Sequence, residues 1–446
     1  MQIFTTLAAI LGLTALLAYV NSRFLRLQET IGLMVLALAF TALLMLLAAL
    51  GEPEPLVLDQ AFVTRLSLDQ TLLNGVLCFL LFAGSINVKS VTLGEEKWVI
   101  LTLAIGATLI GAVLTGAAIW WLLDLSGLGA ALGLGAGIGL VLALAFGALI
   151  SPTDPIAALA ILGRAGLPPR LEAIISGESL FNDGVGVVLF TICVTVAMGM
   201  LEPNALNAAG LFLREVVGGV LLGLLAAGLM HHALMHVRDY GNQVLISLAV
   251  VAVGYQVALQ VEVSGPIAMV VTGLIVGNVT LRQDGADLRT PFETFWAGID
   301  EVLNALLFVL IGLHVALVAG KPVLALLALM AIAVCLMARW LSVFVSLRGL
   351  AAVGGLRGNL VGLSNLLTWG GLRGGLAVAM ALSLPNVPQK ELILHMTYGV
   401  AAFSIIVQGL TISRLFPAAT LERLAAPLGT DSDSGRRDGT AGPASA

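Results

Sequence analysis

The sequence predicts an all-α polytopic membrane protein with about thirteen transmembrane helices, two of them broken. Three observations carry this. The 446-residue chain is 59% hydrophobic and only 11% charged, with a mean hydropathy of +1.05, which lies outside the range of soluble globular domains. Apolar runs long enough to cross a bilayer follow one another along the chain, separated by short charged or Pro/Gly stretches. Two of these runs are interrupted by clustered prolines or glycines while remaining apolar throughout. The net charge of −5 decides little, because the distribution of charge among loops matters more in a membrane protein than its sum. Nothing supports nucleic-acid binding.

Taken in order, the spans fall at about 3–20, 30–50, 69–88, 98–123, 130–163 (broken), 172–200, 207–235, 241–260, 264–280, 292–319, 322–348, 359–384 (broken) and 391–415. The first has no basic segment ahead of it and no small-residue cleavage site before Asn21, so it reads as a membrane helix and not a signal peptide. Loop charge orients the set. Loops after odd-numbered spans, together with the tail, hold fifteen of the 21 Lys and Arg, whereas loops after even-numbered spans hold only Arg65, Lys321 and Lys390. The positive-inside rule then places the N-terminus outside and the C-terminus in the cytoplasm. Arg214, Arg339 and Arg373 remain, each within a span.

The fifth span breaks at Ser151-Pro152-Thr153-Asp154-Pro155. Each proline removes a backbone N–H and pushes the residue before it out of helical geometry. The twelfth breaks at WGGLRGG, where Gly370, Gly371, Gly374 and Gly375 surround Arg373. At a break, carbonyls of one half-helix and N–H groups of the next lose their partners, an arrangement that often forms a transporter's ion site. An offset of seven between the two broken spans places them in equivalent positions of two six-helix units in opposite orientations, around a linking seventh helix. No residue-level repeat accompanies this symmetry.

The stretch from Ser151 to Phe190 holds most of the chemistry. Ionisable side chains inside apolar spans are costly and mark ion or proton pathways. Glu178, Ser179, Asn182 and Asp183 fall within an arc of roughly 140° on one helix. Asp183 has no cation near it in sequence and apolar residues on either side, so a proton and a metal cation are expected to compete for its oxygens. Ser179, one turn earlier, offers a hydroxyl that suits a hard cation such as Na⁺ or serves only in helix packing. Asp154 fits an ion contact, and equally an N-cap with proline at the first helical position. Thr153 offers a backbone or hydroxyl oxygen. Arg373 can offset exposed carbonyl ends.

Four segments, TDP (153–155), GESLFND (177–183), ARWLSVF (338–344) and WGGLRGGLAVAMAL (369–382), resemble in order the motifs of the NhaP/NHE-type bacterial Na⁺/H⁺ antiporters. The resemblance covers residues 1–416. It implies the NhaA/NhaP-like antiporter fold of the inner (plasma) membrane, with core helices at about 98–200 and 322–415 and dimerisation helices at about 1–90 and 241–319 in a homodimer. It also implies that Arg339 meets Glu178 as a buried, self-neutralising pair. Asp183, with Asp154, Thr153 and Ser179, would form the Na⁺ site. The activity implied is exchange of Na⁺ or Li⁺ for H⁺ by alternating access, driven by an ion gradient without a cofactor or nucleotide. Related electrogenic antiporters carry two adjacent aspartates where this chain has Asn182 and Asp183, so one-for-one electroneutral exchange is expected.

Other features have plainer readings. Cys78, Cys193 and Cys335 are widely spaced within apolar runs, as small buried hydrophobes. Gly133, Gly135, Gly137 and Gly139 read as close helix packing and not a nucleotide loop. Arg214 with Glu215, and Asp300 with Glu301, are expected near helix ends. His231, His232 and His236 fall on the cytoplasmic side, as pH-titrating groups or as lipid-surface residues. The tail 417–446 is polar and Gly/Ser-rich and expected to be disordered. Two rivals remain: a K⁺/H⁺ antiporter of the same architecture, and an intramembrane aspartyl protease, which lacks its YD and GxGD patterns here.

Overall fold

The computed structural model describes residues 2–50, 75–86, 88, 94–131, 137–281, 286–318, 322–354 and 358–425. Among these, nine helices are long and apolar enough to cross a membrane. The remaining four of the thirteen spans appear as shorter pieces: Leu77–Ile86, Gly265–Thr280, and the two broken helices. The first broken helix consists of Leu140–Ile150 and Ile156–Arg164, and the second of Leu360–Gly370 and Gly375–Ser383. Both interruptions fall where the prolines and glycines place them. The expected third span begins outside the described residues.

With lipid outside, helices gain little from hiding apolar surface against one another, so close approach through small residues sets the packing. A Cβ added at Gly116 would lie 2.7 Å from the Cα of Leu144, and one at Gly223 would lie 2.6 Å from the carbonyl oxygen of Ala268. Backbones therefore touch at these crossings. The helix Lys97–Leu125 packs on Leu140–Ile150 and on Pro322–Gly354, which in turn lies against Lys390–Leu415. Elsewhere Glu29–Ala49 runs along Ala286–Val318, and Gly265–Ile275 packs on both Ala205–His236 and Leu77–Ile86. In this second group Trp296 is fully buried, edge-on to Phe82 at 4.6 Å between ring centroids, with its indole N–H donated to Ser247 Oγ at 3.2 Å.

The two breaks cross. Asp154 and Leu372 form an isolated antiparallel bridge, in which Asp154 N–H donates to the Leu372 carbonyl at 2.7 Å.

Three expectations are corrected. Residues 137–139 are loop, and Gly139 has φ +69°, so the fifth span starts at Leu140. Asp124 holds this loop by accepting the N–H groups of Ile138 and Gly139, both at 2.9 Å. Gly137 and Gly139 thus serve a capped turn, while Gly133 and Gly135 lie outside the described residues. After Pro417, Ala418–Ala425 is helical, with Leu421 and Leu424 buried; their spacing gives an apolar stripe that the Gly/Ser-rich composition of the rest of the tail obscures. Residues 426–446 lie outside the described residues. Asp300 and Glu301 stand well inside Ala286–Val318 and not near its ends. Cys78 and Cys335 are buried, and Cys193 is half-buried.

Candidate ion site at the crossing of the broken helices

Each interrupted helix end finds a partner of the right sign. Asp154 Oδ1 accepts the Ile156 N–H at 2.9 Å, closing the start of Ile156–Arg164 as an N-cap carboxylate does. Arg373 Nη1 donates to the carbonyls of Ser151 and, at 2.9 Å, Pro152, at the open end of Leu140–Ile150. The Leu360–Gly370 half-helix offers its last carbonyls to Arg339 Nη2, 3.4 Å from Leu367 O, and to Gln408 Nε2, 3.2 Å from Thr368 O. Cations and donors thus meet carbonyl ends, and a carboxylate meets an N–H end, as the helix dipoles require.

The glycines of the second break make room for the first. A Cβ at Gly374 would fall 2.5 Å from Asp154 Oδ2, and one at Gly371 would fall 3.0 Å from Thr153 Cγ2.

Behind the crossing lies a closed polar chain on Pro169–Ala197. Arg339 Nη2 is 2.6 Å from Glu178 Oε1, with side-chain exposures of 4% and 2%. Asn182 Nδ2 donates to Thr153 Oγ1 at 2.9 Å and Glu178 Oε1 at 3.5 Å, while its Oδ1 accepts from Thr153 N at 3.3 Å. Ser179 Oγ lies 3.0 Å from Thr153 Oγ1. Asn182 and Ser179 are therefore placed one layer in, clasping Thr153, and neither lines the cavity described next.

That cavity, about 430 Å³, is lined by Thr153, Asp154, Glu172, Ser176, Asp183, Asp300 and Asn304 together with apolar residues. Among the described residues, four of its lining side chains are acidic and none is basic. Among the described residues Asp183 has no hydrogen-bond partner, so its oxygens are free for a ligand from the cavity. Asp300 and Asn304 come from Ala286–Val318, and Asn304 Nδ2 donates to Asp300 Oδ1 at 3.1 Å. Their DEVLN sequence (300–304) carries an i, i+4 polar pair inside an apolar run, a signal that points inward.

The other candidates stand elsewhere. Arg214 and Glu215 stand inside Ala205–His236 and not near its ends, and Arg214 pairs with Glu262 at 2.9 Å. His231 Nδ1 is 3.0 Å from Thr280 Oγ1, and the rings of His232 and His236 lie 4.4 Å apart; none of the three lines the cavity.

Comparison with known proteins agrees with this architecture. A family model described as "Sodium/hydrogen exchanger, transmembrane" matches residues 12–418. The chain is 39% identical over 422 residues to the Na⁺/H⁺ antiporter NhaP of Pseudomonas aeruginosa, covering 93% of this chain and 98% of that one. It is 31% identical to the Na⁺/H⁺ antiporter NhaH of Halobacillus dabanensis, over 84% and 90% of the two chains. The solved structure of the sodium proton antiporter MjNhaP1 from Methanocaldococcus jannaschii superposes with a TM-score of 0.73 at 17% identity, covering 96% of this chain and all of that one. At that identity the likeness concerns the fold.

Proposed function

The chain belongs to the transmembrane sodium/hydrogen exchanger family, and from that premise we propose that it exchanges Na⁺ or Li⁺ for H⁺ as a secondary transporter. The observation that carries this is the acid-lined cavity that includes Asp183 and Asp154, at the crossing of two broken helices. Such a cavity concentrates cations and repels anions. Asp183 takes up a proton or a cation in turn. Asp154 and Thr153 complete the cation's oxygen shell, with Ser179 and Asn182 fixing Thr153 from behind.

Glu178 and Arg339 neutralise each other and stay out of the stoichiometry. Arg373 holds the first break in shape. Since the amide of Asn182 neither binds nor releases a proton near neutral pH, and with Asp154 keeping its charge throughout the cycle, one H⁺ crosses against one Na⁺ and exchange is electroneutral. Alternating access follows from motion of the helices at about 98–200 and 322–415 against those at about 1–90 and 241–319, the latter dimerising two copies in the plasma membrane. Loop charge supports an external N-terminus and a cytoplasmic C-terminus.

The test is proton flux in reconstituted vesicles under an imposed pH gradient, with Na⁺, Li⁺ and K⁺ added in turn. Na⁺ or Li⁺ should collapse the gradient. A response to K⁺ alone would overturn the ion assignment, and silence with all three would overturn exchange itself.

A further inference from the structure

Gln408 is fully enclosed, at 3% exposure, and closes the π-helical turn Ser404–Gln408 in the last membrane span. A π turn inserts an extra residue into the helix and re-aims the side chains that follow. Here it aims Gln408 at the second break.

The amide has a determined orientation. Its Nε2 donates to the carbonyls of Thr368 at 3.2 Å and Trp369 at 3.4 Å, at the open end of Leu360–Gly370. Its Oε1 accepts from Ser404 Oγ at 2.6 Å. Ser404 has one hydroxyl proton and has given it to Gln408, so its oxygen is left as the acceptor for Arg373 N–H at 2.9 Å. The guanidinium of Arg373 in turn holds the Ser151 and Pro152 carbonyls, directly ahead of Thr153 and Asp154. Hydrogen bonds joined by the Arg373 side chain therefore link the last span, through Ser404, to the carbonyls directly ahead of Thr153 and Asp154 in the first broken helix. Neither Gln408 nor Ser404 lines that cavity.

We propose that Gln408 is a positioning residue which, through Ser404 and Arg373, fixes where Thr153 and Asp154 stand and so sets the protein's apparent affinity for the transported cation. The inference rests on the exchange reading above. Replacing Gln408 by Leu removes the donor on the Thr368 and Trp369 carbonyls and the acceptor that fixes the Ser404 hydroxyl proton, so the hydroxyl is no longer held with its oxygen towards Arg373 N–H. Replacing Ser404 by Ala cuts the link to Arg373 while Gln408 keeps its two carbonyls.

The experiment is Na⁺-driven proton flux in proteoliposomes for wild type, Gln408→Leu, Ser404→Ala and the double variant, with KM and Vmax separated. Ser404→Ala should raise KM for Na⁺ about threefold to tenfold, the factor expected from one buried hydrogen bond, with Vmax within twofold. Gln408→Leu should raise it at least as much, and the double variant no further than Gln408→Leu alone, because both changes cut one chain. If Gln408→Leu does not fold, Ser404→Ala alone decides. Wild-type KM in Ser404→Ala, or independent additive effects of the two substitutions, overturns the proposal while leaving exchange intact. Failure of the wild type to exchange any cation overturns the exchange reading, and the inference with it.

Discussion

Gly374 and Asp154 share a space that admits only one side chain: a Cβ built on Gly374 would lie 2.5 Å from Asp154 Oδ2 and 2.6 Å from its Cβ. The contact joins the second break to the carboxylate of the first. Gly374→Ala should therefore displace Asp154, raising KM for Na⁺ at least tenfold or abolishing exchange while the protein still inserts. Flux kinetics on the purified variant check this, and unchanged KM and Vmax would mean that the Asp154 carboxylate is not held where the cation binds.

Asp183→Asn keeps the shape of the side chain and removes both the titration and the anionic ligand. Exchange should vanish, while detergent-purified protein keeps its helix content and a melting temperature near that of wild type. Substantial Na⁺-driven proton flux from this variant would sink the assignment of Asp183.

Removing one member of the Glu178–Arg339 pair strands a charge that has almost no access to water. In soluble proteins such a loss costs about 3–5 kcal/mol. Arg339→Ala also withdraws the donor on Leu367 O, so it should lower the melting temperature in detergent markedly, and the swap of Glu178→Arg with Arg339→Glu should recover part of the loss. A wild-type melting temperature for Arg339→Ala contradicts the pairing.

Electroneutrality is tested by clamping the potential of proteoliposomes with valinomycin and K⁺, after checking that K⁺ is not itself transported. The rate of Na⁺-driven pH change should be the same at every potential. A rate that climbs with potential would falsify the argument from Asn182, because a second proton would then move in each cycle.

The orientation is tested with single cysteines. Thr440→Cys should react with impermeant reagents only when the cytoplasmic face is opened, and a reporter placed ahead of Gln2 should be external. Labelling of residue 440 from outside intact cells refutes it.

Much of this architecture is legible in the sequence because membranes restrict the choices. Backbone polar groups in lipid must be paired within the helix, so a Pro or Gly cluster inside an apolar run can announce an exception; the breaks at SPTDP and WGGLRGG are where the residues put them, whereas Gly137 and Gly139, which read as helix packing, stand in a loop. Glu178 and Arg339 are too costly to bury singly, which makes each imply a partner; only the resemblance says which. The roles of Ser179 and Asn182 are less legible. Helical periodicity places them on the face of Asp183, but it cannot say that Thr153 would occupy the space in front of them. Asp300 and Gln408 are missed for different reasons. Asp300 sits beside Glu301, and the pair reads as a solvated helix end. The direction in which Gln408 points depends on a π turn, which shifts the register by a residue without leaving a mark in the hydrophobic pattern. The glycines of WGGLRGG are recognised as helix breakers, but their second role, yielding volume to Thr153 and Asp154, belongs to a contact between segments more than two hundred residues apart.

The single peptide hydrogen bond between Asp154 and Leu372 has a consequence for symmetry between the two sides of the membrane. Two segments of backbone joined in this way, with Arg373 of the second also holding the Ser151 and Pro152 carbonyls of the first, should travel as one piece. Asp154 and Thr153 then offer a cation the same oxygens whether it came from the cytoplasm or from outside. Preference among Na⁺, Li⁺ and K⁺ should then be the same in right-side-out and inside-out vesicles, even where the two faces differ in how readily they admit an ion.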